Sequence, residues 1–187
     1  FFIIKGSVFF NFFIFVMLLI TFYEWHYLSF KKVYYLPGFI FIFFSFYAFY
    51  FLRHEGDYRF FLLVLLTCIA TDVGGYIFGK ILKGPKLTKI SPNKTITGAI
   101  GSLLFSSLSA LLIIFYITKN FEPLMIIVGS ITSIACQSGD LFFSFLKRKS
   151  NLKDTGNFLP GHGGILDRVD GMLLGIPVGF LIFITIY

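Results

Sequence analysis

Residues 98–118 read GAIGSLLFSSLSALLIIFYIT, an uncharged run that is long enough to cross about 30 Å of hydrocarbon as a helix. Further apolar runs occupy roughly residues 6–23, 34–52, 58–80, 124–146 and 171–187. Polar segments rich in Lys, Gly and Pro separate these runs. The sequence therefore predicts an all-α, polytopic integral membrane protein with about six transmembrane helices.

The composition of the chain favours the same architecture. Of the 187 residues, 57% are hydrophobic and only 13% are charged, and the mean hydropathy is +0.85. A soluble domain could not bury so much apolar surface, whereas a lipid bilayer removes the need to do so. We expect residues 1–187 to form a single transmembrane domain. Because the first residue is Phe rather than Met, we also expect helices to be missing upstream.

Basic residues are distributed unevenly over the predicted loops. The loops after the second and fourth apolar runs contain only Arg53, Arg59 and Lys119, whereas the loops after the first, third and fifth runs contain most of the other Lys and Arg residues. The positive-inside rule places the basic loops, those after the first, third and fifth runs, in the cytoplasm. Segments 80–97 and 147–170 are therefore expected to be cytoplasmic loops. This bias explains the net charge of +7 without nucleic acid as a partner.

The first apolar run is followed by Glu24, Trp25, His26 and Tyr27. Aromatic residues beside a charge are typical of anchors at the level of the lipid headgroups. We interpret this segment as an interfacial belt and do not expect His26 to have a catalytic role.

The third apolar run contains a carboxylate, Asp72. A helix would place it on one face with Cys68, Gly75, Tyr76 and Gly79, a small, polar stripe suited to close helix contact. A carboxylate at this depth is costly, so function is the default interpretation, with a paired structural carboxylate as the alternative. Cys68 and Cys136 show no ligand spacing, and we expect them to be packing residues. Gly74–Lys80 imitates part of a P-loop, but Ile81 follows where Ser or Thr is needed and no strand precedes it.

A second carboxylate, Asp140, lies in the fifth apolar run. Its helix face carries Ser133, Gln137, Asp140, Ser144, Lys147 and Arg148, and changes from neutral to acidic to basic towards the cytoplasm. Lys147 is roughly 10 Å from Asp140 along a helix, so Asp140 needs another partner. A cation supplied by solvent is the simplest candidate.

The segment 91–95, Ser-Pro-Asn-Lys-Thr, stands just before the fourth apolar run. Most lysines of the loop 80–97 are explained by the positive-inside rule alone. Ser91, Asn93 and Lys94 differ, because they group a hydroxyl, an amide and an ammonium at a helix start, where free backbone N–H groups also attract anions.

The polar segment 144–170 contains the groups that bind metals and phosphates. Asp167 and Asp170 are three residues apart, so one helical turn would direct both the same way, and Asp140 could join them. Carboxylate oxygens are the ligands that Mg²⁺ prefers. The neighbouring cations are Lys147, Arg148, Lys153 and Arg168. Together they suit nucleotidyl or phosphoryl transfer. Three glycines, Gly161, Gly163 and Gly164, permit positive φ and close approach of the backbone, and His162 could bind a phosphate or stabilise the turn.

One long pattern resembles the signature of the phosphatidate cytidylyltransferases (CDP-diacylglycerol synthases). It reads Ser144-x2-Lys147-Arg148-x4-Lys153-Asp154-x5-Pro160-Gly161-His162-Gly163-Gly164-x2-Asp167-Arg168-x-Asp170. The resemblance extends back through Gln137–Asp140 and Ser91–Thr95 to Asp72. One departure lies at Thr97, where the family commonly has Glu.

The resemblance implies a reaction of CTP with phosphatidate that gives CDP-diacylglycerol and pyrophosphate with Mg²⁺. It implies that Asp140, Asp167 and Asp170 bind metal and act in catalysis with Lys153. It assigns contacts with substrate phosphates to Ser91, Asn93, Lys94, Ser144, Lys147, Arg148, His162 and Arg168. Asp72 and Asp154 would orient these groups. The expected location is a bacterial inner membrane, with CTP, phosphatidate and the bilayer as partners. The number of metals and the oligomeric state, a homodimer included, stay open.

Two other functions share single features with this sequence. A CDP-alcohol phosphotransferase is disfavoured, because Leu174-Gly175 replaces the Ala-Arg that should follow Asp170-Gly171. An ion-coupled transporter could use Asp72 and Asp140 as an ion pathway, but it leaves the long cytoplasmic motif without a role.

Overall fold

The protein is a bundle of apolar helices. The computed structural model describes residues 7–54, 58–156, 158, 161 and 163–186, without the side chains of residues 7, 183 and 186. Its helices are α1 (Ser7–Ser29), α2 (Tyr35–His54), α3 (Tyr58–Leu82), α4 (Ile96–Thr118), α5 (Leu124–Lys149), α6 (Leu166–Val169) and α7 (Met172–Ile186). Within these ranges the β-structure is limited to isolated bridges such as Lys86 with Thr95. The all-α prediction is confirmed.

Five of the helices, α1 to α5, are long and apolar enough to cross a membrane. The sixth predicted span corresponds to α7, which has 15 residues and is shorter than those five. Large apolar side chains such as Phe12, Phe44 and Leu108 are exposed on the helices, an arrangement that lipid would cover. The chain is therefore a polytopic integral membrane protein.

Small residues bring α3 and α4 close together. A Cβ atom on Gly98 would lie 2.8 Å from the carbonyl oxygen of Gly75, and one on Gly75 would lie 2.6 Å from the Ser102 hydroxyl. Ser102 donates a hydrogen bond of 2.7 Å to the carbonyl of Thr71. The prediction of a small, polar contact face is confirmed, and it sets Asp72 beside the start of α4.

The last helix, α7, packs against α2, α3 and α5. A Cβ atom on Gly175 would meet the sulfur atoms of Cys136 at 2.2 Å and of Cys68 at 3.0 Å. Both cysteines are free and buried, as predicted for packing residues. Pro177 lacks an N–H group for the carbonyl of Leu173. Ser45 of α2 donates to that carbonyl instead, at 2.6 Å.

The three predicted cytoplasmic loops meet at one end of the bundle. The Ser150 hydroxyl accepts a hydrogen bond from Lys32 at 3.1 Å and donates one to the carbonyl of Leu28 at 3.1 Å. Lys94, in the loop before α4, forms an ion pair with Asp140 of α5. These contacts place the loops after α1, α3 and α5 on a common side.

Candidate active site

A cavity of about 430 Å³ opens at this end of the bundle. Its walls come from α3, α4, α5, the loop before α4 and the region around α6. The charged side chains that line it are Asp72, Lys94, Asp140, Asp167, Arg168 and Asp170, with Asn93 beside them. Acids from separate membrane segments thus face one space, together with two cations.

Lys94 is placed by a tight loop that its own backbone closes. The Lys94 carbonyl accepts a hydrogen bond from Leu87 N–H at 2.8 Å, and Lys94 N–H donates to the Ser91 carbonyl at 3.1 Å. Thr95 then caps α4 by accepting a bond from Gly98 N–H at 3.1 Å. The Lys94 ammonium pairs with the Asp140 carboxylate. A cation from solvent at Asp140 stays a prediction.

Thr97 has a structural role at the position where a carboxylate was expected from the resemblance. Its hydroxyl accepts a hydrogen bond from Gly84 N–H at 3.2 Å and lies 3.1 Å from the Thr95 hydroxyl. It therefore fastens the start of the loop to the first turn of α4.

Lys147 connects the two aspartates that flank Arg168. Its Nζ atom lies 2.7 Å from Oδ1 of Asp167 and 3.5 Å from Oδ2 of Asp170. Backbone N–H groups of Thr155 and Gly164 donate to the other oxygen of Asp167, at 2.8 and 3.0 Å. Burial alone would raise the pKa of Asp167, but these hydrogen bonds and the Lys147 charge hold that pKa below its usual value.

Asp170 lies close to Asp140. The Asp170 side chain is almost fully buried, and its carboxylate accepts a hydrogen bond from Gly171 N–H at 2.8 Å. Burial, and then the Asp140 charge, raise the pKa of Asp170 to about 7 against the opposing effect of Lys147. Gly139 makes the approach of α5 possible, because a Cβ atom there would lie 2.9 Å from the Asp170 carbonyl oxygen.

The carboxylates that line the cavity are candidate ligands for Mg²⁺. Within the residues that the structure describes, no group of three or more His, Cys, Asp and Glu side chains is arranged to hold a metal ion. Mg²⁺ commonly uses only one or two carboxylates, with waters and substrate phosphates as its other ligands. Asp140 and Asp170 fit that smaller set, because they line one cavity and a cation would relieve their repulsion. The three-carboxylate metal site with Asp167 stays a prediction.

Several predicted site residues lie outside the cavity wall. These are Ser91, Ser144, Lys147, Arg148, Lys153 and Asp154. The Ser144 hydroxyl lies 3.4 Å from Oδ1 of Asp140, which lines the cavity. Lys147 forms an ion pair with Asp167, which also lines the cavity. The other long cations, Arg148 and Lys153, are exposed. His162 lies outside the described residues.

The prediction of positive φ is confirmed for Gly161 and Gly163 but not for Gly164, and close approach of the backbone to a ligand stays a prediction. Gly161 and Gly163 have φ values of 74° and 82°, in the region that favours glycine. Gly164 has no such backbone, but a Cβ atom there would lie 2.3 Å from the Thr155 hydroxyl. Positive φ explains the first two glycines, and crowding explains the third.

The interfacial-belt interpretation of the segment 24–27 is wrong for its first two residues. Helix α1 continues to Ser29, and Glu24 and Trp25 are each only 2% exposed. The Glu24 carboxylate binds the segment that precedes Asp167. The sequence signal for a buried role of Glu24 was its position as a carboxylate at the end of an apolar run. The sequence does not show its partner, which lies far along the chain.

Fold and cavity together define an α-helical polytopic membrane protein with a mixed acidic and cationic site at one end of its helices. The model of the cytidylyltransferase family matches residues 1–186. The chain belongs to the cytidylyltransferase family.

Individual relatives carry a more specific name. The phosphatidate cytidylyltransferase of Rickettsia felis is 39% identical over 172 residues, which cover 86% of this chain and 75% of the relative. The phosphatidate cytidylyltransferase of Staphylococcus haemolyticus is 42% identical over 136 residues, 72% of this chain and 52% of the relative. That of Rickettsia prowazekii is 38% identical over 170 residues, 85% of this chain and 74% of the relative.

Proposed function

We propose that the protein transfers the cytidylyl group of CTP to phosphatidate, giving CDP-diacylglycerol and pyrophosphate for phospholipid synthesis. Family membership and the names of its relatives support the reaction class. The observation that carries the proposal is the cavity in which Asp140 and Asp170 face Lys94 and Arg168. Such a site can bind a polyphosphate and stabilise charge that develops on it.

The proposed location is the cytoplasmic face of a bacterial inner membrane. The concentration of Lys and Arg in the loops on the cavity side supports this orientation, and the relatives named above are bacterial. Phosphatidate keeps its acyl chains in the bilayer, whereas CTP stays in water. The two substrates can meet only at headgroup depth, which suits a cavity at one end of the helices.

The cations of the cavity would bind the phosphates. Lys94 would exchange its ion pair with Asp140 for a phosphate oxygen of CTP, with Arg168 and Asn93 as neighbours. Lys147 would keep Asp167 and Asp170 in place through its two contacts. Arg148, Lys153, Ser91, Ser144 and His162 stay candidates for contacts with the substrates.

The reaction needs no covalent enzyme intermediate. A phosphate oxygen of phosphatidate attacks the α-phosphorus of CTP, a new P–O bond forms, and the bond between the α-phosphorus and the bridging oxygen to the β-phosphorus breaks. Pyrophosphate leaves with that electron pair. The side chains of the cavity bind and orient both phosphate groups and offset the growing negative charge.

Mg²⁺ is part of the proposal as the cofactor. Asp140 and Asp170 would hold it, and Asp167 is the third candidate ligand. When bound, it would supply positive charge to the phosphates of CTP. Asp72 and Asp154 would orient neighbouring groups.

The test uses the purified protein in lipid nanodiscs with phosphatidate, CTP and MgCl₂. Pyrophosphate and CDP-diacylglycerol should form in equal amounts, and EDTA or omission of either substrate should stop both. Absence of both products, in a protein that remains folded, would contradict the proposal. Ion flux without these products would favour the transporter with Asp72 and Asp140 in its pathway.

A further inference from the structure

Glu24 joins the first described membrane helix to the turn that precedes Asp167. It is 2% exposed. Among the described residues, no Lys, Arg or His forms an ion pair with it. From the part of the chain that the structure describes, its two oxygens instead accept hydrogen bonds from Ile165 N–H at 2.9 Å, from Leu166 N–H at 2.7 Å and from the Thr155 hydroxyl at 3.1 Å.

These contacts make Glu24 the cap of α6. The N–H groups at the start of a helix have no partner within it, and a side-chain oxygen normally supplies one. Here that oxygen comes from α1, far away in sequence. The adjoining N–H groups of Gly164 and Thr155 bind Asp167. Glu24 and Asp167 therefore hold the same short segment, and Asp167 in turn binds Lys147.

The segment closes tightly around the Glu24 carboxylate. A Cβ atom on Gly164 would lie 2.5 Å from Oε2 of Glu24, and one on Gly156 would lie 3.0 Å from Oε1. Only glycine fits at both positions, because any larger side chain there would collide with the Glu24 carboxylate. Leu166 fixes the same turn from its apolar side, because it is fully buried among residues of α1, α2 and α5.

A buried carboxylate in a membrane helix is energetically costly, so a functional role is the default interpretation. We propose that Glu24 is a positioning residue for cytidylyl transfer. It fixes the turn 164–166 so that Asp167 holds Lys147 beside Asp170. This inference rests on the proposed function, and it adds a residue outside the signature 144–170.

The test variant is Glu24→Gln, which keeps the size of the side chain but turns one acceptor into an N–H donor that faces backbone N–H groups. We expect kcat per folded molecule to fall about 10- to 100-fold, the loss typical of a misplaced catalytic group. The KM for phosphatidate should stay within about twofold, because Glu24 does not line the cavity in which the substrates are proposed to bind. Amide exchange at residues 165 and 166 should accelerate at least about tenfold.

Trp25→Phe is the matched control. Trp25 is the next residue of α1, equally buried, and its indole N–H donates to the carbonyl of Tyr35 at 3.0 Å. The variant loses a buried hydrogen bond from the same helix, but it keeps an aromatic ring in the cluster that buries Leu166 and leaves the Glu24 carboxylate unchanged. It should lower the melting temperature, while kcat and the amide exchange at 165 and 166 stay unchanged.

Thr155→Val is the milder second variant, for the case that Glu24→Gln does not fold. It removes the hydroxyl donor to Glu24 but keeps the Thr155 N–H bond to Asp167. We expect kcat to fall about two- to tenfold, the equivalent of one hydrogen bond.

The outcomes separate the two proposals. Wild-type kcat per folded Glu24→Gln molecule, or unchanged amide exchange at 165 and 166, would overturn the role of Glu24. If Glu24→Gln does not fold, wild-type kcat in Thr155→Val overturns it. A wild-type protein without cytidylyl transfer would contradict the proposed function instead, and the amide exchange alone would then decide whether Glu24 holds the turn.

Discussion

Lys94 and Asp140 form an ion pair across the cavity, although the loop before α4 carries one and the middle of α5 carries the other. Both side chains are only partly shielded, with 26% and 34% of their surface exposed. The pair is therefore accessible to a substrate. A phosphate that binds Lys94 would release Asp140 to bind a cation, so the two residues can exchange partners together.

Replacement of Lys94 tests this exchange. Lys94→Met removes the ammonium but keeps much of the apolar stem, so we expect the KM for CTP to rise about tenfold or more, because a charge-assisted phosphate contact contributes about 1.5–3 kcal/mol. Steady-state kinetics with varied CTP measures this. Lys89→Met, an exposed lysine of the same loop, is the control and should leave KM unchanged. Equal KM values in the two variants would count against the contact.

Lys147 should matter for stability as well as for turnover. Its side chain is 12% exposed, and those of Asp167 and Asp170 are 9% and 11% exposed. Lys147→Met leaves two shielded carboxylates without their cation, a change that costs about 3–5 kcal/mol for a buried pair. Thermal unfolding in detergent should show a clear loss of melting temperature. Lys149→Met, on an exposed lysine two residues away, should cost about 1 kcal/mol or less. Comparable losses would argue against a shielded network.

Ser45 and Pro177 should be energetically coupled. Ser45→Ala removes the donor to the Leu173 carbonyl, which Pro177 leaves without a helical partner, and should cost about 1–3 kcal/mol. Ser29→Ala is the control, since the buried Ser29 hydroxyl donates to the Trp25 carbonyl within α1.

The double variant sharpens this prediction. Pro177→Ala restores a backbone N–H for the Leu173 carbonyl, so Ser45→Ala should cost less in that background. Purely additive losses in melting temperature would mean that the two residues act independently.

Gly139 should be intolerant of a side chain. Gly139→Ala introduces a Cβ atom 2.9 Å from the Asp170 carbonyl oxygen, which moves α5 away from Asp170. Overpacking of this kind costs about 1–3 kcal/mol, and we expect kcat to fall with it because the cavity is built at this contact. Ser138→Ala, at the exposed neighbour, is the control and should change neither stability nor kcat. Wild-type kcat in Gly139→Ala would show that the close approach is dispensable.

The sequence predicts the helices and the site well where the signal is local. Apolar runs define α1 to α5, and small residues such as Gly75 and Gly79 predict that α3 has a face for close helix contact. The spacing of Asp167 and Asp170 predicts that both face one site.

Contacts between distant segments are harder to predict from the sequence. The pairing of Lys94 with Asp140 and the capping of α6 by Glu24 depend on tertiary packing, so composition and periodicity do not reveal them. The predicted first apolar run ends too early, at residue 23, for the same reason, because Glu24 of α1 is satisfied by Thr155, Ile165 and Leu166, which lie far along the chain.

The central claim is that acids from separate membrane segments act together in cytidylyl transfer. The most direct measurement follows the label of [α-³²P]CTP into phosphatidate with purified wild-type protein, Asp140→Asn, Asp167→Asn and Lys119→Ala in nanodiscs. We predict label in the lipid for the wild type and for Lys119→Ala, and a loss of about 100-fold or more for both aspartate variants while they remain folded. Near-normal labelling by both aspartate variants would contradict the account.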